Sequence, residues 1–479
     1  MENGTTVGRP TLALAAVVAI VVAGVTFAIS GPRNVVPDPE PAPTASTPEA
    51  DDELVLGVWG SDAEVAAYRD VVEQYNQTVD DREAEVRRWP DAAAMLADID
   101  AGSADPDVFL LPREDLASTV ANRRNQPLLD LVAARGVSTG DDYSRTALNA
   151  FTTNDALQCM PYTSSPMVMY VNTALVDFQR LEDRGLPVPR PTDGQWTLDA
   201  FRAAAESGTR PRVRSRGFHI DPTLEGLAPF ILSGGGSLFD SNEDPTSLAL
   251  GEEGSVEAVT QTLDLLRDST LTLTDRQLER RTPEEWFAAG RLGMMAGYRD
   301  LVPEFRDVEG LRFDVLPMPR LGSAATVGKL HGLCIADGTT EETEHAADFL
   351  VHLIDSESVA QVVRTGSLAP SHLQVAFSDA FLQPNRQPPR SSVFTLNQRN
   401  IALLPLIESW TELDDAAAEP LDALVNSPVL DRQQIEDLLS DLDETSRPIL
   451  DPDYEPSEEE SEGSEDESDE DGSSEDSGS

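Results

Sequence analysis

Apolar and polar positions along the chain change period several times, and each change marks an element. LVLGVW (54–59) is a short apolar run that ends in Gly60-Ser61-Asp62, a turn followed by a helix N-cap. In AEVAAYRDVVEQYNQ (63–77), Val65, Tyr68, Val71, Val72 and Tyr75 recur at helical spacing. DAAAMLADIDAG (91–102) predicts another helix, closed by Gly102, and PDVFLL (106–111) predicts a buried strand. Strands interleaved with helices predict a mostly parallel sheet covered by helices. In such sheets ligands bind at the carboxyl ends of strands, which places Trp59, Gly60, Ser61 and Leu111 to Glu114 near a possible site.

The same alternation continues. LQCMPYTSSPMVMYVNTALVD (157–177) reads as a strand, a proline-containing crossing, a second strand and a helix start. WTLDAFRAAAE (196–206) predicts a helix with Thr197 as N-cap, and ILSGGGSLFD (231–240) ends a helix in a glycine run. EEGSVEAVTQTLDLLRD (252–268) is amphipathic at helical period, and TPEEWFAAGRLGMMAGYRD (282–300) predicts a helix followed by a short strand at GMMAGY. Strands are expected at Phe313 to Leu316 and Gly332 to Ala336, a helix over 345–357, and further helices to about Asp443. There is no internal repeat.

The two ends break the pattern. Thr11 to Ile29 is an unbroken apolar run flanked by Arg9 and Arg33, long enough for a membrane-spanning helix. It reads either as a signal peptide cleaved near Thr26 and Ala28 or as an uncleaved anchor; both export the body. Residues 1–33 are thus expected to form a transmembrane anchor or signal sequence. Residues 34–53 are a Pro-rich spacer, and 451–479 an acidic tail of Glu, Asp, Ser and Gly that has no means of building a core.

The 479 residues exceed one typical domain, and 40% hydrophobic content suits globular lobes with separate cores. The formal net charge is −51, from 35 Lys and Arg against 86 Asp and Glu. Only fifteen of the acidic residues lie in the tail, so the body is itself acidic. That argues against nucleic acid, whose phosphates require clustered cations, and against anionic lipid. Lys329 is the single lysine. No Gly-x-Ser-x-Gly, P-loop, nicotinamide fingerprint or metal-spaced His/Cys cluster occurs, so neither cofactor nor metal is expected.

Several segments resemble, in order, the extracellular solute-binding proteins of ABC importers, specifically the sugar-binding, maltose-binding-protein-like family. LVLGVWGSDAEVAAYRDVVEQYN looks like the family's opening strand, Trp-containing turn and first helix. DPDVFLL with PLLDL (127–131), MPYTSSPMVMYVNTALVD, WTLDAF, LSGGGSLFD, EEWFAAGRLGMMAGY and ADFLVHLIDSESVAQVVRTGSLAPS follow in the family's sequence of units. The resemblance covers about 54–445. It implies an α/β fold with two lobes, each a mostly parallel sheet flanked by helices, joined by hinge strands around a ligand cleft. Within a solute-binding domain of 54–450, the first lobe would take about 54–158 and 335–385, and the second about 163–330 and 386–445. Cys159 and Cys334, the only cysteines, would then sit side by side on the strands between lobes, where a disulfide is expected in an exported protein. Gram-positive members carry a lipobox cysteine after the signal peptide. Here no cysteine precedes Cys159, so tethering would fall to residues 11–29.

The resemblance and the strand-end rule together nominate ligand-binding residues. They are Trp59 and Ser61 in the first loop, Arg113 and Glu114 after PDVFLL, Tyr162, Ser164 and Ser165 on the crossing, Gly235, Tyr298, Arg299, and His331 on the return crossing. Aromatic faces suit the C–H surfaces of a sugar, and fixed polar groups its hydroxyls. Each has a plainer use: Trp59 as packing under a helix, Gly235 as a helix terminator, the charged pair as a solvated loop. Trp196, Trp286 and Trp410 read as core or lobe-packing residues, with cleft contact the lesser alternative. The function this implies is capture of a small solute, a carbohydrate above all, for an ABC importer permease. The contrasting readings are a glycosidase using two carboxylates, and a membrane-anchored sensor or partner-binding protein without a transport role.

Overall fold

In a computed structural model, residues 53–79, 82–190, 192–427 and 430–455 are described. The apolar run at 11–29, the spacer and the tail beyond Glu455 lie outside the described residues. Among the described residues no helix is long and apolar enough to cross a membrane.

Two mixed sheets organise the body. The first contains β1 (Leu54–Val58), β2 (Ala84–Arg88), β3 (Val108–Pro112) and the short β4 (Asn125–Gln126). After a small hairpin of β5 (Thr152–Thr153) and β6 (Ala156–Leu157), the chain crosses through β7 (Met160–Pro166) into β8 (Val168–Asn172). The second sheet joins β8 to β9 (Arg216–His219), β10 (Leu292–Gly297) and β11 (Phe313–Pro317), in the order β11-β8-β10-β9. The chain returns through β12 (Gly328–Ala336), which lies between β3 and β4 in the first sheet and also pairs with β7.

The expectation of mostly parallel sheets holds only for β2-β1-β3. In the first sheet β12 runs antiparallel to β3, β4 and β7; in the second, only β10 and β9 are parallel. The reason is connectivity. Strands that pass between sheets need no helical crossover, so they add to an edge in the opposite sense.

Local signals start the helices where the sequence places them. Ser61 caps the helix Asp62–Asn76 with a reciprocal bond to Glu64, Thr197 caps Leu198–Gly208, and Gly235 ends Leu224–Gly234 in the left-handed conformation. The helix expected over 345–357 instead runs Thr340–Ile354. A Thr339/Glu342 capping box starts it earlier, and Asp355 ends it and caps the next helix, Ser356–Val363. Neither β2 nor β9 was legible in the sequence. AEVRR is a half-exposed edge strand, and its charged residues mask the period of two.

β12 is longer than its apolar half, Gly332 to Ala336, because GKLH pairs with β7 through a register shift between His331 and Gly332. A Cβ at Gly332 would stand 2.7 Å from the Phe151 ring and 3.1 Å from Cys159 Cβ, so the crossing needs glycine there. Cys159 and Cys334, both fully buried, are joined by a disulfide with their Cα atoms 4.3 Å apart.

Each sheet carries an apolar core. The first gathers Leu56, Val58, Tyr68, Phe109, Leu111 and Phe349; the second gathers Val171, Phe201, Phe218, Phe230, Leu263 and Leu439. Tyr170, Phe287, Phe305 and Phe313 stand on or beside the second sheet yet join the first core, so that core reaches behind part of the second sheet.

Candidate functional site

A cavity of about 320 Å³ opens where the two sheets meet, within the size range of small-molecule sites. Arg113 and Glu114 enter it from the carboxyl end of β3, and Val327 to Leu330 from the start of β12. Ala402 to Pro405 form an apolar wall. Trp410 and Asp414 come from the helix Trp410–Asn426, and Glu225 from the first turn of Leu224–Gly234. An adjoining chamber of about 170 Å³ shares Glu225 and Lys329 and adds Tyr298, Asp300 and Asp221.

The polar groups here are arranged rather than scattered. Tyr298 bonds Glu225 through its hydroxyl and accepts from the Tyr170 hydroxyl at its carbonyl. Lys329 holds its ammonium 4.6 Å over the Tyr298 ring and donates to Asp300 at 3.3 Å. Burial raises the Tyr298 pKa, reinforced by the negative charge of Glu225. Burial also raises Glu114 and Asp414, and lowers Arg113 to about 10. The Nε of Arg113 is buried without a hydrogen-bond partner.

Of the residues nominated from the sequence, Arg113 and Glu114 line the larger cavity and Tyr298 the smaller. The others have different occupations. Ser61 is committed to its capping box. Trp59 donates to the Leu110 carbonyl at 3.1 Å and meets His331 edge-on at 4.8 Å, while His331 Nδ1 bonds Thr163 at 3.1 Å. Tyr162 is buried against Tyr68 in the first core. Ser164 lends its carbonyl to Gln398 Nε2 at 2.9 Å, and Ser165 Oγ accepts from the Arg299 amide at 3.0 Å. Gly235 serves as a helix C-cap.

Arg299 is fully enclosed and lines neither cavity. It donates to the Gly366 carbonyl, to Ser391 Oγ and to the Phe381 carbonyl, and its guanidinium lies over the Phe381 and Phe394 rings at 4.6 and 5.1 Å. It ties the end of β10 to the segment 366–394 instead of facing solvent.

Sequence reasoning missed Glu225, Lys329 and Asp414, and gave Trp410 cleft contact only as the lesser alternative. Trp410 was expected to pack between elements; it does meet Phe239 edge-on at 5.5 Å, and it also faces the cavity. The uniqueness of Lys329 was the one signal that could have singled it out.

A family model described as "Bacterial extracellular solute-binding protein" matches residues 70–385, most of the chain. The chain belongs to that family. Its fold is similar to three solved structures. They are an ABC substrate-binding protein from Listeria monocytogenes in complex with cycloalternan (TM-score 0.65, 18% identity, covering 82% of this chain and 98% of that one), the GacH receptor of Streptomyces glaucescens (0.65, 16%, 84% and 99%), and the cyclic α-maltosyl-1,6-maltose binding protein of Arthrobacter globiformis (0.67, 15%, 83% and 98%). At such identities the likeness establishes the two-lobed α/β fold. Among curated proteins none matches the sequence. The family places the body outside the cytoplasm.

Proposed function

We propose that this solute-binding protein captures a carbohydrate in the 320 Å³ cavity and delivers it to the permease of an ABC importer, held at the membrane by residues 11–29 or released after cleavage there. The observation that carries the reading is the wall composition. Trp410 and the 402–405 segment offer apolar faces, and Arg113, Glu114, Glu225, Lys329 and Asp414 offer hydrogen-bonding heads around one space. Several similarly folded proteins bind oligosaccharides, cycloalternan and cyclic maltosyl-maltose among them, which supports the substrate class.

In this reading the protein performs no chemistry. Lining groups come from both cores, so a ligand touching all of them stabilises the closed arrangement of the lobes, and closure is what the permease reads. In the same proposal the chain passes between the lobes near 158–163, 330–335 and 385.

The test is isothermal titration of the full chain against a panel of oligosaccharides. A 1:1 complex with one saccharide class is expected. Trp410→Ala should weaken it about tenfold or more, the loss of one central aromatic contact, and should also lower the melting temperature through the lost packing on Phe239, so affinity is compared well below the transition. Silence from every saccharide, in a properly folded sample, would overturn the proposal.

A further inference from the structure

The charges around the cavity do not balance. The two adjoining chambers carry six carboxylates, those of Glu114, Asp221, Glu225, Glu284, Asp300 and Asp414, against the cations Arg113 and Lys329. Lys329 is already paired with Asp300, and Asp221 with His219 at 2.9 Å. Glu114, Glu225 and Asp414 form no salt bridge among the described residues, yet all three line the larger cavity.

Surface acidity is common in this chain, but it is hydrated and screened by salt. Carboxylates lining a cavity lose water when a ligand fills it, and that loss is costly without a counter-charge. The three also arrive from different elements: Glu114 after β3, Glu225 on Leu224–Gly234, Asp414 on Trp410–Asn426. Partial burial raises the Glu114 and Asp414 carboxyls and the charge of Glu225 adds to it, while all three residues remain solvent-exposed in the empty cavity. A metal ion does not answer this, because among the described residues no group of three His, Cys, Asp or Glu could hold one. The carboxylates are spread around a space, as suits an extended organic ligand. Arg113 and Trp410 line the same space, one with a hydrogen-bond donor head and the other with a ring face.

Resting on the carbohydrate reading above, we propose that the cavity selects an amine-bearing saccharide, an oligomer of basic amino sugars, over its neutral counterpart, with Glu114, Glu225 and Asp414 receiving the ammonium groups. A sugar face covers Trp410, and Arg113 donates to hydroxyls from the cavity wall. The same charges explain closure. Empty, the carboxylates repel one another across the cavity; a bridging cation turns that repulsion into attraction.

Titration of the full chain with the glucosamine tetramer, its N-acetylated counterpart and maltotetraose tests this at pH 6 and again above the amine's pKa. At pH 6 the free amine should bind about tenfold tighter than either neutral tetramer, one to one. The preference should vanish at the higher pH. Asp414→Asn should narrow it, by lowering the affinity for the free amine more than that for the N-acetylated form; Glu114→Gln serves if that variant fails to fold. Equal affinities, or tighter binding of a neutral tetramer, would overturn the inference and leave the receptor reading standing. So would several amines bound per chain regardless of Asp414→Asn, since that is attraction to an acidic surface. Failure of all three tetramers and of every other saccharide would remove the receptor reading as well.

Discussion

The disulfide offers a prediction whose size follows from topology. Cys159 and Cys334 are 175 residues apart in sequence, and their bond closes that loop in the unfolded chain as well as the folded one. In the chain-entropy picture, opening a loop of that length costs about 5 kcal/mol, near the upper end for a single bridge. Both sulfurs are buried between β7 and β12, so the clean perturbation is the double variant Cys159→Ala/Cys334→Ala rather than a reductant that must first reach them. For a folded body of roughly 400 residues, that loss corresponds to a fall of about 6 °C in melting temperature. Urea unfolding separates the mechanism from simple loss of packing. A chain freed of the link expands further, so the denaturant slope should rise as the midpoint falls. Neither cysteine lines the cavity, so ligand affinity should stay within about twofold of the parent. A loss below about 1 kcal/mol with an unchanged slope would refute the argument, because the bond would then not be restraining the unfolded ensemble.

Two further outcomes are expected. Burial, with Lys329 nearby, lowers His331 to about 4 from its usual 6.5. Above pH 6.5 the ring is neutral in both states; between 6.5 and 4 only the unfolded chain takes up the proton, so stability drains away as pH falls, by at most about 3 kcal/mol and less for its partial exposure. Comparing urea midpoints of the parent and His331→Gln from pH 7.5 to 4 isolates this from the acidic surface; parallel curves would sink it. Gly217→Ala would drive a Cβ into the Ala205 carbonyl, where β9 meets the helix Leu198–Gly208, and should cost about 1–3 kcal/mol or more in unfolding free energy. An unchanged midpoint would show that the helix yields freely.

Much of the architecture is written in local pattern. The spacing of Val65, Tyr68, Val71, Val72 and Tyr75 determined one helix, and capping residues such as Ser61, Thr197 and Gly235 located ends to within a residue or two. These are near-neighbour effects, decided by dihedral preference and by which side chains share a face. The collinear order of such units also carried the family resemblance, and the family model matching 70–385 rests on the same units.

The site is another matter. Arg299 and Tyr298 are adjacent in sequence, yet one is sealed over Phe381 and Phe394 and the other lines a chamber, because the chain leaves β10 at Gly297 and turns there. Trp410 looks like any amphipathic-helix aromatic until the helix is laid beside Glu225 and β12. Nothing near Asp414 in sequence announces that Glu114, 300 residues earlier, shares its cavity. By itself the sequence determined most of the elements, their order and the α/β class of fold, but not β2, β9 or the antiparallel sense of the crossing strands. Only the tertiary structure decided which charged groups meet around the cavity and which are consumed holding the crossing together, since those pairings arise from long-range packing that local periodicity does not encode.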